Sequence, residues 1–416
     1  MNKHYTAAVD IGSSRIRVAV AKIDELNAVK LLGYAEEGVE GVINSEVLHL
    51  RDVGDSIQRA VCRIEEKIGG SISSAFVNVG GRKFITKCFK FDKLVGESGV
   101  ISESDVKYLD NEVRNVKISS EYSIYDVCSV KYIVDGEKIV KDPIQMAGRK
   151  LEAEYTVIIG PKDYSRNIQH VFKELNIEIL KLSVDTVATS KVYISADDME
   201  AGAILLDMGK GTTKCTVYVD GRIKLMYSVP FGGDAVTQDI QRGLNISYRN
   251  AEKLKIENAC SKIDTTEEDK FITISQGGGW NPKEISSKNL SNIVEARVEE
   301  ILEFLNSRFL ELGVHENIGS GIIVVGGGAR LKGVLELIAY NLGLQVKFGV
   351  PAFKIEKRAV NVLNHPQSAS LSGLIALKLG IIGDVGDADI NSDDDVRATQ
   401  GGVKGLLKNI WDKIIE

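Results

Sequence analysis

Ala203-Ile-Leu-Leu-Asp-Met-Gly-Lys-Gly-Thr-Thr-Lys-Cys-Thr-Val217 stands at the middle of the chain and decides how the rest is read. Ile204, Leu205 and Leu206 are apolar enough for a buried strand. Asp207 ends that run, Gly209 and Gly211 open a tight turn, and a β-rich segment restarts at Thr212. A hairpin of this kind can hold a phosphate. Its glycines let the backbone approach, turn N–H groups form a concave anion site, and the hydroxyls of Thr212 and Thr213 add donors. An aspartate beside phosphates makes sense only with a cation between them, most simply hydrated Mg²⁺. One copy of such a stretch is equally compatible with an ordinary glycine-turn hairpin.

The stretch occurs twice. Ala7-Ala-Val-Asp-Ile-Gly-Ser-Ser-Arg-Ile-Arg-Val-Ala-Val20 lays Asp10 over Asp207, Gly12 over Gly209, Ser13 over Lys210 and Arg17 over Lys214. An internal repeat of a phosphate hairpin implies two similar halves facing each other across a nucleotide. The pattern Gly-x-x-x-x-Gly-Lys-Ser/Thr is missing, and neither hairpin opens a helix, which excludes Walker-type and Rossmann loops.

At 416 residues the chain is expected to hold about two to four domains. The net charge of −6 gives no general affinity for nucleic acid. Cys62, Cys88, Cys128, Cys215 and Cys260 are scattered without a Cys-x-x-Cys pair, which points to reduced thiols rather than disulfides or zinc. With no apolar run approaching the ~18 residues of a spanning helix and no leader ahead of Asp10, a cytoplasmic protein is expected.

Outward from the hairpins, Lys30 to Val42 reads as a strand pair and Val53 to Ile68 as an amphipathic helix, followed by the strand Ser74 to Val79. From Phe84 to Pro161 glycine-punctuated strands surround one helix, with Ser102 and Asp105 forming a capping box. A hairpin there turns at Asp135-Gly136. The α/β rhythm resumes with the helix Tyr164 to Leu175 and the strand Ile177 to Leu182. In the second half, helices are expected from Phe231 to Ile240, from Tyr248 to Ile256, and from Leu290 to Phe309, the last burying Ile293, Val294, Val298, Ile301, Leu302 and Leu305. Gly321 to Val325 is a buried strand, Gly326-Gly327-Gly328 a turn that allows close approach of a flat ligand, and a helix then runs to Leu342. After two phosphate hairpins, the triglycine reads as an adenosine platform.

Residues 382–400 gather aspartates with few large apolar side chains, the composition of a solvated linker. Behind it, Val403, Leu406, Leu407, Ile410, Trp411, Ile414 and Ile415 fall on one helical face and Lys404, Lys408 and Lys413 on the rest. A basic amphipathic helix on an acidic tether suits an interfacial anchor for anionic lipid; the alternative is a helix docked on its own domain or on another subunit. One such helix binds lipid weakly, so the anchor hints at polymerisation and avidity.

Both hairpins, Gly232-Gly-Asp-Ala-Val-Thr-Gln-Asp-Ile240, Ala251-Glu-Lys-Leu-Lys255, Val325-Gly-Gly-Gly-Ala-Arg-Leu331 and the terminal helix together resemble the FtsA family of actin-like cell-division proteins. The resemblance covers nearly the whole chain. Its most specific part is the insert, with Val134-Asp-Gly136, Lys141-Asp-Pro-Ile144, Met146-Ala-Gly148 and Arg149-Lys-Leu-Glu-Ala-Glu154.

It implies a two-lobed actin-like α/β fold of the actin, Hsp70 and sugar-kinase type. The first lobe core would be 1–83 and 162–200, the family's inserted α+β subdomain 84–161, and the second lobe core 201–226 and 320–381. A further subdomain would span 227–319, the linker 382–400 and the anchor helix 401–416. The resemblance also implies ATP with Mg²⁺ between the lobes. Asp10 and Asp207 would hold the metal's waters, while Gly12, Ser13, Ser14, Gly209, Gly211, Thr212 and Thr213 would meet the phosphates; Lys210 could add a direct phosphate contact or crowd the turn. Arg17 would lie near the β-phosphate and Glu252 and Lys255 on the ribose and base side. Gly327, Gly328 and Arg330 would frame the adenosine, and Gly233 and Gly326 would also bind the ATP. The family usually has glycine where Lys210 stands and an acid where Lys214 stands, so ATP is expected to act as a clamp with slow hydrolysis at most.

Implied partners are the C-terminal peptide of FtsZ on residues 227–319, with Arg297 pairing its acids, further copies in a filament, anionic lipids and later division proteins. The place implied is the cytoplasmic face of the membrane at the division site. The alternative readings are another membrane-associated actin-like scaffold of the pilus-assembly type, or an actin-fold ATPase or kinase, for which no second substrate cleft is marked.

Overall fold

A computed structural model of the chain describes residues 5–262, 268–275 and 281–381. The linker 382–400 and the expected anchor helix with its lysines lie outside the described residues.

Each Asp-x-Gly stretch forms a β-hairpin, and each hairpin seeds one sheet. The first pairs Tyr5–Ile11 with Arg15–Ile23 and the second pairs Ala203–Met208 with Thr213–Val219. Residues 7–11 of the first inner strand and 203–206 of the second are buried, as their apolar runs require. The two sheets repeat one topology. In the first, the hairpin is extended antiparallel by Val29–Gly38, and on the other side Ile72–Val79 and Glu178–Val184 add in parallel. In the second, Arg222–Val229 extends the hairpin antiparallel, while Ile322–Val325 and Val346–Phe348 add in parallel. The internal repeat read from two short motifs therefore extends to two five-stranded sheets.

Where a strand pair was expected at Lys30 to Val42, one ten-residue strand, Val29–Gly38, is found, followed by a two-residue hairpin, Val42–Ile43 with Glu46–Val47. Gly33 is a packing site rather than a turn: a Cβ there would stand 2.5 Å from Ile64 Cγ2, on the helix Leu50–Ile68 that covers this face. That helix ends at Gly69, whose φ of 64° lets its N–H return to Glu65 O at 2.9 Å. The helix expected to run to Leu342 is broken. A short 3₁₀ turn, Gly327–Arg330, comes first, and the helix Val334–Leu342 starts after Gly333. Ile293 is only half-buried, because it packs over Gly243 at the margin of the helix Ser287–Glu311.

Two helices tie the sheets together. Asp185–Tyr193 leads from the first sheet towards the second, and Ala369–Lys378 returns to pack Leu371, Leu374 and Ile375 against Ala8 and Ala19 of the first sheet. They cross at Gly373, where a Cβ would come within 2.7 Å of the Ala188 backbone. Only hydrogen fits there.

Between Ile85 and Pro161 a separate antiparallel sheet forms, in the order Ile85–Leu94, Lys150–Pro161, Tyr122–Val134, Lys138–Val140. Its helix, Glu103–Arg114, carries the expected capping box, with the Ser102 N–H donating to the Asp105 carboxylate at 2.9 Å. Asp135 and Gly136 turn at φ 53° and 77°. The backbone N–H groups of Lys150 and Arg149 donate to the Asp135 carboxylate and hold it below the usual carboxylate range. On the second sheet's side, the helices Gly233–Leu244, Tyr248–Asn258 and Ser287–Glu311 accompany a small hairpin, Phe271–Ile274 with Lys283–Ser286.

Candidate functional site

The turns of the two hairpins open onto one cavity of about 250 Å³. Both turns are closed alike: the Gly12 N–H donates to Arg15 O at 3.1 Å and the Gly209 N–H to Thr212 O at 2.9 Å. The first residues of three helices, Asp185, Gly233 and Ala369, also line the cavity. Helix starts carry partial positive charge, which favours an anionic ligand, although the N–H groups of Gly233, Thr186 and Ala369 are already paired with Gly209 O, Asp185 Oδ1 and Pro366 O. The loop before one of them is locked to the second turn, with the Gly233 N–H on Gly209 O at 2.9 Å and the Asp234 N–H on Lys210 O at 2.8 Å. A Cβ at Gly232 would sit 2.5 Å from Gly209 O, so glycine is required for that contact.

At the inner wall, acids and bases alternate. Asp10 accepts from Asn78 Nδ2 at 3.0 Å and from Arg17 Nη1 at 3.5 Å, and Asn78 Oδ1 in turn accepts the Ile11 N–H at 2.7 Å. Arg17 also reaches Glu36 at 3.6 Å. Burial raises the Asp10 pKa, with the Arg17 charge opposing. Across the cavity, burial pushes Asp207 up to about 6; Lys214 opposes that shift, and Asp185 and Asp10 add to it. Asp207 owes its place to Gly326, at φ 87°, where a Cβ would lie 2.3 Å from Asp207 Oδ1. Lys214 is bound to the Asp185 carboxylate, and both side chains are buried. The inner wall thus holds three carboxylates, Asp10, Asp185 and Asp207, against two cations, Arg17 and Lys214. That negative excess, next to phosphate-type turns, fits a divalent cation held through water. Among the described residues, no group of three His, Cys, Asp or Glu is set to hold a metal directly.

On the outer side, Lys255 Nζ donates to Gly233 O at 2.8 Å, Thr237 Oγ1 at 2.7 Å and Glu252 Oε2 at 2.7 Å. This fastens the helix Tyr248–Asn258 beside the loop at Gly233. Gly327 and Gly328 face Gln367 and Met208, and Arg330 is exposed at the rim.

Of the residues expected at a nucleotide, Asp10, Gly12, Ser13, Ser14, Arg17, Asp207, Gly209, Lys210, Gly211 and Thr212 line this cavity, as do Gly233, Glu252, Lys255, Gly326, Gly327, Gly328 and Arg330. Thr213 does not. It is the first residue of its strand and fully buried, and strand alternation turns it away from the side Thr212 faces. Sequence reasoning missed Ser45, Asn78, Asp185, Gln367 and Ser370, all of which line the cavity. Asn78 left a trace, as a polar residue in the apolar run from Ala75 to Val79. The others approach only through the tertiary fold. Arg297 lies elsewhere, bound to Asp239 and Glu300 with its guanidinium 5.9 Å from the Phe231 ring. Among the described residues, no helix is long and apolar enough to cross a membrane.

Known proteins resemble this chain in sequence and fold. A family model described as cell division protein FtsA matches residues 204–373, and one described as the SHS2 domain inserted in FtsA matches residues 92–159. Cell division protein FtsA of Pseudomonas aeruginosa is 25% identical over 367 residues, 88% of this chain and 87% of that protein. The Bacillus subtilis protein of the same name is 28% identical over 353 residues, 85% of this chain and 80% of that protein. Among solved structures, the PilM–PilN type IV pilus biogenesis complex matches with a TM-score of 0.62 at 13% identity, over 90% of this chain and 98% of that one. MreB5 of Spiroplasma citri bound to ADP matches with a TM-score of 0.53 at 14% identity, over 91% and 97%. With both structures the chain shares the actin-like α/β fold.

Proposed function

This chain belongs to the FtsA family of cell-division proteins, and we propose that it binds ATP with Mg²⁺ between its lobes, assembles into an actin-like polymer and tethers FtsZ filaments to the cytoplasmic face of the membrane at the division site. The observation that carries the nucleotide is the pair of equivalent hairpin turns facing one cavity, with three helix starts beside them. Related folds in MreB5 carry ADP in one structure and AMPPNP in another, which supports the same class of ligand here. When bound, the metal supplies charge neutralisation for the phosphates; Asp10 and Asp207 orient its waters, and Ser13, Ser14, Lys210 and Thr212 meet the phosphate oxygens. Glu252 and Lys255 serve the ribose and base side, with Gly327, Gly328 and Arg330 framing the adenosine.

Turnover is slow at most. Asp185, an acid lining the cavity, is engaged by the Lys214 ammonium and by the Thr186 N–H at 2.7 Å rather than free to act as a base. ATP then acts mainly as a clamp. Residues 227–319 receive the FtsZ peptide, and Arg297 takes part by exchanging Asp239 or Glu300 for an acid of the peptide. The lipid anchor is the helix 401–416, multiplied by polymerisation, and the lipid-bound polymer recruits later division proteins.

Co-sedimentation with anionic liposomes and FtsZ, with and without ATP, tests the assignment by comparing the full chain with one ending at Gln400. The full chain is expected to carry FtsZ to lipid and the shorter chain to leave it behind. Equal lipid binding by both overturns the anchor. Lipid binding without FtsZ moves the chain to another actin-like scaffold.

A further inference from the structure

The small hairpin Val42–Ile43 with Glu46–Val47 places its two turn residues, Asn44 and Ser45, at φ 51° and 66°. Asparagine tolerates this left-handed region, serine does so poorly, and glycine does so freely. A serine held there raises the question of what its hydroxyl does. It stands at the seam between the two phosphate turns. The Ser45 N–H donates to Ser13 Oγ at 2.9 Å, and Ser45 Oγ shares a hydrogen bond with Thr212 Oγ1 at 3.0 Å. Gly211 closes over the same spot, where a Cβ would meet Asn44 N and Ser13 Oγ at 3.2 Å. The hairpin is fixed to the first lobe. Asn167 Nδ2 donates to Val47 O at 2.8 Å, the Tyr164 hydroxyl to Glu46 Oε1 at 3.0 Å, and the Leu48 N–H to Gly41 O at 3.0 Å. Thr212 belongs to the other lobe, so the chain Ser13–Ser45–Thr212 joins one phosphate turn to the other through two hydrogen bonds.

We propose that Ser45 is a binding residue for the terminal phosphate of a nucleoside triphosphate and sets the preference for triphosphate over diphosphate. This rests on reading the cavity as a nucleotide site. A terminal phosphate held between Ser13 and Thr212 lies beside the Ser45 hydroxyl, which turns from Thr212 to donate to a phosphate oxygen. A diphosphate leaves that position empty, and the hydroxyl keeps its bond to Thr212. The contact to a charged oxygen is gained only with the triphosphate, and such bonds are stronger than neutral ones. The anchoring of the hairpin matters, because a donor that could retreat would not discriminate.

The test is competition of ATP and ADP, each with Mg²⁺, against a fluorescent nucleotide on the full chain, its Ser45→Gly form and its Ser45→Ala form. Ser45→Ala removes only the hydroxyl, while Ser45→Gly removes the hydroxymethyl group and keeps the left-handed turn without strain, so it controls for any folding defect of Ser45→Ala. The wild-type chain is expected to prefer ATP. Ser45→Gly is expected to lose about tenfold in ATP affinity, with ADP held within about twofold. Equal wild-type affinity for both nucleotides, or an unchanged ratio in Ser45→Gly, overturns the role of Ser45 and leaves the nucleotide site standing. A wild-type chain that binds neither overturns both.

Discussion

The two phosphate hairpins share a backbone and differ in how they spend their charges. In each, an aspartate at the end of the first strand faces a base across the ladder, Asp10 opposite Arg17 and Asp207 opposite Lys214. In each, a glycine N–H closes the turn. Arg17 then stays at home, reaching Asp10 and Glu36 of its own sheet. Lys214 turns away from Asp207 to the carboxylate of Asp185, on a helix outside its sheet. The first hairpin is therefore neutralised from within, while the second gives its cation to the helix Asp185–Tyr193 and leaves Asp207 facing the cavity. What a duplication preserves is the skeleton that lets backbone approach an anion. Side-chain pairing is free to drift, and here it makes one lobe the more self-sufficient of the two.

The largest effect is expected from breaking the borrowed pair. Lys214→Ala strands a buried carboxylate, which typically costs about 3–5 kcal/mol. Urea unfolding of the nucleotide-free chain should register that loss, and adding Asp185→Asn should return most of it, because the stranded charge is then gone. Arg17→Ala should not be rescued by Asp185→Asn. Rescue of Lys214→Ala by Asp10→Asn instead would mean that Lys214 serves the acids of the cavity at large, and the contrast between the hairpins would collapse.

A smaller effect follows from Asp207, which the second hairpin leaves without a cation of its own. Burial pushes the Asp207 carboxyl up to about 6 from an ordinary value near 3.8, with the Lys214 charge opposing. The folded state thus binds the extra proton between these values, and stability falls as pH rises through that window. The penalty is complete above pH 6 and absent below 3.8, and two units correspond to about 3 kcal/mol. Asp207→Asn should therefore stabilise the nucleotide-free chain by about 2–3 kcal/mol at pH 8, with the gain shrinking towards pH 4. The same variant should bind Mg·ATP more weakly. A stabilisation independent of pH would show that the carboxylate is not the source of the penalty.

Much of this was legible in the sequence because it is local. The Asp-x-Gly turns, the Ser102–Asp105 cap and the Asp135-Gly136 hairpin each depend on residues a few positions apart. The strand pair expected from Lys30 to Val42 is instead mostly one strand, in which Gly33 admits Ile64 from a helix that follows it in the chain. The cavity was legible in its glycines and hidden in its partners. Asp185 and Ser45 carry no motif, and they meet Lys214 and Thr212 only after the crossing helices and the small hairpin are in place. Thr213 failed for a simpler reason, strand alternation, which a register assignment would have caught.

The smallest expected effect separates the two turn residues that the repeat makes equivalent, Ser13 and Lys210. Ser13 is structural in the unliganded chain, since its Oγ accepts the Ser45 N–H at 2.9 Å. Ser13→Ala leaves that N–H without its partner and should cost about 1 kcal/mol in urea unfolding. Lys210 is exposed, and its ammonium has no partner among the described residues. Lys210→Ser should leave stability within about 0.5 kcal/mol. Its effect should fall on the ligand: a cation at the mouth of a phosphate site attracts through solvent, so ATP affinity should drop about threefold at low salt and the deficit should fade as salt is raised towards 0.5 M. If Lys210→Ser unfolds the turn instead, then the second hairpin depends on its lysine as the first depends on its serine, and the two lobes are more alike in their side chains than their ion pairs suggest.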